Sequence, residues 1–184
     1  GAFSSLEGAK SGSASATVTM MGWGSTCPNA AAVCAPKDLH ELEVPVSTQE
    51  KCKQVNPINT NVNSGHCGER GRCKPLFDEK YGHVYCAGGA MADMGMKDSC
   101  NGDSGSPVAW LDTSTGKQTI VGVIILGSEE PSNDQRCGAV GRHSVVTQVS
   151  AYAEWIKHTI AGDEPDCTGK ILGETGFDQS TVSA

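Results

Sequence analysis

No apolar run in this 184-residue sequence is long enough to cross a bilayer. The longest, Ile120 to Leu126, is broken by Gly122 and falls far short of the roughly 20 residues a spanning helix needs. No secretory leader pattern precedes Gly1, so a mature, processed chain is expected. Cations are scarce: 14 Lys and Arg face 21 Asp and Glu, a net charge of -7. Phosphate recognition needs clustered Lys and Arg, so neither nucleic acid nor an anionic membrane is expected as a partner. Internal repeats are absent, as is any Asn-x-Ser/Thr acceptor with a permissive middle residue. Cysteine, by contrast, is plentiful. Nine of them stand singly among polar loops, which points to disulfides made in an oxidising compartment and hence to a secreted protein.

The length allows one domain with a sizeable core plus extensions. Residues 1–16, rich in Ser, Ala and Gly without a hydrophobic period, read as a flexible lead-in. Thr17 to Met21, Leu42 to Val46, Val84 to Ala87, Pro107 to Leu111, Thr119 to Leu126 and Ser144 to Val149 are β-branched or alternating and read as six short strands. Such spacing favours a barrel or sandwich. The interval from Cys52 to Cys86, with Pro57, Pro75 and several Asn and Gly, reads mainly as loop. A terminal helix follows, capped by Ser150, with Tyr152, Trp155, Ile156, Thr159 and Ile160 on one face and Gly162 and Pro165 as its stop. The acidic, Gly-rich segment 163–184 is expected to be a tail without structure of its own, beyond what Cys167 holds.

Chemistry concentrates in Asp98-Ser99-Cys100-Asn101-Gly102-Asp103-Ser104-Gly105-Ser106-Pro107. A serine between two glycines sits on backbone free to take conformations closed to other residues, so its hydroxyl can be displayed at a tight turn beside bare amides. A Gly/Asp/Ser turn leading into a strand is the plainer meaning of the same residues. Gly102 to Pro107 preceded by Asp98-Ser99-Cys100 resembles the active-site serine segment of the trypsin/chymotrypsin family of serine endopeptidases. Met21-Gly22-Trp23-Gly24, Leu42 to Pro45 before Cys52, Tyr85-Cys86-Ala87-Gly88, Gly122 to Gly127, Cys137 and Val149 to Ile160 follow the family's order. The resemblance covers residues 17–161 and only the family's second half.

That resemblance implies an all-β fold for residues 17–162: an antiparallel six-stranded β-barrel with a C-terminal helix and disulfide-stapled loops. It implies Cys52 bonded to Cys86 and Cys100 to Cys137, while short spacing alone suggests Cys27 with Cys34 and Cys67 with Cys73. The Cys67/Cys73 loop belongs to an inserted stretch, Asn59 to Phe77, which either borders a substrate cleft or is a tolerated surface excursion. His66, Cys67 and Cys73 are too few to favour a metal site, and no cofactor is expected. Cys167 is left over, and an odd cysteine suggests a bond to another polypeptide or a free thiol.

For the site, the resemblance implies Ser104 as nucleophile and the amides of Gly102 and Ser104 as oxyanion donors, the arrangement of the serine-protease template. Asp103 is implied to be the buried carboxylate that meets a freed amino terminus, since such a group without a cation is costly. Asp98 stands where a carboxylate selects Arg or Lys, with Ser99 beside it and Gly127 on the wall. Several residues depart from the pattern: Ser144 stands in place of a pocket glycine, Ile125 and Leu126 in place of a Ser-Trp pair, and Ser106 in place of a common glycine. Val18 and Trp110 replace a bonded cysteine pair, which requires them to pack.

The general base is missing from the pattern. A serine hydroxyl needs a histidine to take its proton and an aspartate to orient that histidine. None of His40, His66, His83, His143 or His158 stands in the family's histidine context. The expectation is therefore half of an active site, completed by an N-terminal protease chain that carries the His, the Asp and the freed amino terminus, with Cys167 as the expected link. The substrates would be polypeptides cleaved after Arg or Lys. Two other readings compete: a catalytically silent relative acting as a binding or inhibitory module, and a hydrolase with Lys97 as base, which no motif supports.

Overall fold

Strand formation follows the alternation of side chains between two faces. In Thr17–Gly22 (β1) Val18 and Met20 point to the core while Thr17 is exposed. A computed structural model describes residues 2–27, 34–54, 84–91, 95–127, 137–138 and 142–162. In chain order the elements are helix Ala2–Ser11 (α1), β1, His40–Pro45 (β2), helix Gln49–Gln54 (α2), Val84–Ala87 (β3), Gly89–Met91 (β4), Gly95–Lys97 (β5), Pro107–Leu111 (β6), Gln118–Gly127 (β7), Ser144–Gln148 (β8), a 3₁₀ turn Val149–Tyr152 and helix Ala153–Ala161 (α3).

Six strands form one antiparallel sheet in the order β2-β1-β6-β7-β8-β3. Its two edges meet where Val46 bridges Ala87. Backbone bonds from Ser47 N–H to the Cys86 carbonyl and from Gly88 N–H to the Pro45 carbonyl, 2.9 Å each, reinforce the junction. Curling the sheet onto itself satisfies edge groups that would otherwise be open to pairing with other chains. The all-β, antiparallel six-stranded architecture with a short C-terminal helix is thus the one expected from the sequence. β4 and β5 pair separately as a small ribbon.

The interior is aliphatic: Val18, Met20, Val44, Val46, Tyr85, Val108, Val121, Ile124 and Val146 form the main cluster, and Trp110 packs against it. Val18 and Trp110 therefore share one cluster, as their replacement of a cysteine pair requires. Gly122 lies so close to β8 that a Cβ there would meet Val146 Cγ1 and stand 2.6 Å from the Tyr85 hydroxyl. Only hydrogen fits.

The lead-in differs from expectation. Residues 2–11 form a helix whose Leu6 and Ala9 are 2% exposed and belong to the main cluster. Its docking is also polar. Lys10 Nζ donates to Gln148 Oε1 at 2.6 Å and to Glu7 Oε1 at 3.1 Å, and Gln148 Nε2 donates to Glu7 and to Ser150 Oγ. The buried stripe is Ala2, Leu6 and Ala9, and with two of the three being alanine the period barely stands out from a Ser/Ala/Gly-rich background, which is why the sequence pattern conceals this helix.

Two other local expectations need correction. Ser150 does not cap a helix: its hydroxyl accepts from Gln148, and the chain turns through the 3₁₀ segment before α3 begins. Cys52 stands in α2 rather than in a loop. Gly162 ends α3 at φ 81°, donating to the His158 and Thr159 carbonyls. On α3, Trp155 and Ile160 are exposed, so the apolar face expected there is uncovered. The Asn59–Phe77 insertion with Cys67 and Cys73, the tail 163–184 with Cys167, and His66 and His83 lie outside the described residues.

Candidate active site

Among the described residues there are three disulfides: Cys100–Cys137 ties down the segment before Ser104, Cys27–Cys34 closes the loop after β1, and Cys52–Cys86 joins α2 to β3. The Ser104 turn itself is built from backbone. Asp103 N–H donates to the Cys100 carbonyl and Ser106 N–H to the Asp103 carbonyl, both at 3.0 Å. Gly105 N–H reaches the Ile124 carbonyl at 2.8 Å, and Ile124 N–H returns to the Ser106 carbonyl. Gly102 and Gly105 have φ of 100° and 86°, left-handed values that residues with a Cβ rarely adopt. A hydroxyl-bearing residue between two such glycines is lifted clear of the sheet. Ser104 is exposed, and its Oγ donates to the Ile125 carbonyl at 3.2 Å. Among the described residues, neither the Gly102 nor the Ser104 amide donates to a protein acceptor.

Asp103 turns the other way, toward the loop after β1. It accepts from Gly24 N–H at 2.8 Å and from Cys100 N–H at 2.9 Å. A side chain at either Gly22 or Gly24 would collide with its carboxylate. Two amides thus hold the carboxylate, and no basic side chain among the described residues pairs with it. Beside it lies a cavity of about 310 Å³ bordered by Gly22, Gly24, His40, Asp98, Ser99 and Asp103, among others. Ser25 N–H bonds the Asn101 carbonyl at 2.8 Å, fixing this wall to the Ser104 turn.

Asp98 follows β5, and its side chain is wholly buried. Ser144 Oγ donates to its Oδ1 at 2.9 Å, Gly138 N–H reaches Oδ2 at 3.4 Å, and Arg142 Nε lies 3.6 Å from Oδ2. Burial pushes the Asp98 carboxyl above its usual range, against the downward pull of Ser144, Gly138, Arg142 and the Ser99 amide. Ser99 N–H donates to Ser144 Oγ at 3.2 Å, and the two hydroxyls are 2.7 Å apart. Ser144 thus stands between Asp98 and Ser99 as a polar bridge.

The expected wall residues meet in the same region. Gly127 pairs with Ser144 across β7 and β8, and a bulge between Ile124 and Leu126 sets Ile125 out of register. Bulges re-aim side chains, and here Ile125 packs against Cys52, Val84, Cys86 and Val145 while Leu126 is exposed. Ile125 therefore contributes its carbonyl to Ser104 and its side chain to the core.

Three of the five histidines lie among the described residues. His143 is 1% exposed beneath Gly89, where a Cβ would come within 2.6 Å of its Nε2. His40 opens β2 on the cavity wall, and His158 is on α3. Ser104 makes no hydrogen bond to His40, His143, His158 or Lys97; its hydroxyl goes to the Ile125 carbonyl. Sequence reasoning missed Arg142. It stands just before β8, two residues from Ser144.

Comparison with known proteins agrees with this geometry. The family model described as trypsin matches residues 3–156. The clotting factor G beta subunit of Tachypleus tridentatus is 31% identical over 148 residues, 79% of this chain and 39% of that protein. Putative trypsin-6 of Homo sapiens is 31% identical over 142 residues, 77% of this chain and 42% of its own. The proclotting enzyme of Tachypleus tridentatus is 29% identical over 136 residues, 73% and 28% respectively. The chain thus spans about two fifths or less of these curated relatives.

Proposed function

The chain belongs to the trypsin family of serine proteases, and from that premise we propose that it is the nucleophile-bearing half of an endopeptidase acting through an acyl-enzyme at Ser104. The observation that carries the reading is the Ser104 turn: an exposed hydroxyl between two left-handed glycines, beside two amides without protein acceptors. Attack by Ser104 Oγ on a scissile carbonyl would place the developing oxyanion against the Gly102 and Ser104 amides, and the hydroxyl proton must pass to a base. That base and the aspartate that orients it come from a polypeptide segment outside these 184 residues. The same segment brings the freed amino terminus to the cavity beside Asp103, where a cation would complete the carboxylate's partners.

Asp98, at the pocket base, supports selection of Arg or Lys through charge-assisted hydrogen bonds. Three disulfides among the described residues support a secreted protein, and resemblance in part to clotting enzymes supports a two-chain product of zymogen cleavage. Cys167 is the candidate for the link between chains.

A second reading is favoured by one observation: the Asp98 side chain is buried against Ser144 and Arg142, as suits a silent binding module. Labelling of the assembled protein with a fluorophosphonate separates the two. Covalent modification at Ser104, lost in Ser104→Ala, is expected; an unlabelled but folded protein refutes the enzyme. Intact mass before and after reduction then shows whether a second polypeptide leaves with the disulfides.

A further inference from the structure

Arg142 was not among the residues the sequence singled out, yet its guanidinium lies beside the carboxylate of Asp98. Its Nε is 3.6 Å from Asp98 Oδ2. At the other end of the guanidinium, Nη2 would stand 2.8 Å from a Cβ at Gly127, so the group lies against the bare face of the pocket wall. The Arg142 side chain is 15% exposed and that of Asp98 is 0%. We propose that Arg142 is a built-in occupant of the Asp98 pocket and sets its specificity, competing within the chain against a cationic substrate group. This rests on the reading of Asp98 as the pocket base.

The geometry makes it a displaceable occupant rather than a permanent seal. A carboxylate accepts about four hydrogen bonds. Here Oδ1 takes the Ser144 hydroxyl, while Oδ2 takes a long contact from Gly138 N–H and the Arg142 Nε. At 3.6 Å the arginine is paired by charge but does not make the short, parallel fork that a guanidinium forms with a free carboxylate at roughly 2.7 to 2.9 Å. A ligand amidinium or guanidinium able to make that fork gains what Arg142 lacks. It must first move Arg142 away, so its apparent affinity is reduced by the fraction of molecules in which the pocket is open. Neutral side chains, which do not need Asp98, carry no such handicap. The Ser144 hydroxyl takes one acceptor site of Oδ1 in either case and leaves the other to one arm of such a fork.

p-Aminobenzamidine, an aromatic amidinium whose fluorescence reports its binding, tests the proposal without requiring turnover. Titrated into the assembled protein, it is expected to bind Arg142→Gln about tenfold more tightly than the wild type. Arg142→Met should show the same gain and serves if the glutamine variant does not fold. Arg142→Lys should bind more weakly than either, and adding Asp98→Asn to Arg142→Gln should abolish the gain. Equal affinity of the wild type and the folded neutral variants overturns the proposal, as does a gain that survives loss of Asp98. Fluorophosphonate labelling reports on Ser104 separately. A labelled protein whose neutral variants bind the probe no better refutes the role of Arg142 alone. An unlabelled protein whose neutral variants do bind it more tightly refutes the enzymatic reading and leaves Arg142 in place.

Discussion

Leu6→Ala should destabilise the whole domain, although Leu6 stands in a Ser/Ala/Gly-rich opening segment. Leu6 is 2% exposed and belongs to the cluster that contains Val18, Val44, Val108 and Val146. Truncating a buried leucine costs about 2.7 to 5 kcal/mol, more where the cavity cannot collapse. α1 stands at one end of the described chain and can settle toward the space, so a value near the lower end, about 3 kcal/mol, is expected. At about 2 to 4 °C per kcal/mol for a chain of this size, Tm falls by roughly 6 to 12 °C. Thermal melts under non-reducing conditions, paired with urea midpoints at constant m, read this directly. Ser4→Ala, on the exposed side of the same helix, is the control and should change stability by less than about 0.5 kcal/mol. If the two variants melt together, α1 is no part of the folded core and the account given of it is wrong.

Gly122→Ala should cost about 1 to 3 kcal/mol by overpacking, because its methyl would press on Val146 and stand 2.6 Å from the Tyr85 hydroxyl; an unchanged urea midpoint would show that β7 and β8 can separate freely. Asp98 makes stability depend on pH. Its folded-state carboxyl lies above the ordinary 3.8, with burial as the leading cause, so its contribution is fully present below that value and is lost as pH rises through the folded pKa. Asp98→Asn removes the dependence. Its urea midpoint should therefore gain on the wild type's as pH climbs from below 3.8 toward neutrality, and a difference that does not vary with pH would contradict the dominance of burial at this site.

Much of this protein was legible one stretch at a time. Alternating β-branched runs marked the six strands, because each strand's pattern is set by its own two faces. Gly102 and Gly105 marked the turn that displays Ser104, because a positive φ is a local demand. The Cys27–Cys34 loop was legible from spacing, while the Cys52–Cys86 and Cys100–Cys137 bonds followed from resemblance. What lay beyond the sequence was every outcome decided by distant partners. α1 is a helix because Leu6 finds the sheet interior and Lys10 finds Gln148, 138 positions away. Asp98 finds its partners 40 to 46 positions downstream, in Gly138, Arg142 and Ser144. Ile125 packs its side chain against Cys52, Val84, Cys86 and Val145 beside a bulge in β7. Sequence alone determined which residues could curve, bury or react, since those are properties of each side chain and its immediate backbone. Tertiary structure decided which charges meet and which apolar groups leave water, since Coulombic and hydrophobic energies depend on distances in space that no local pattern contains.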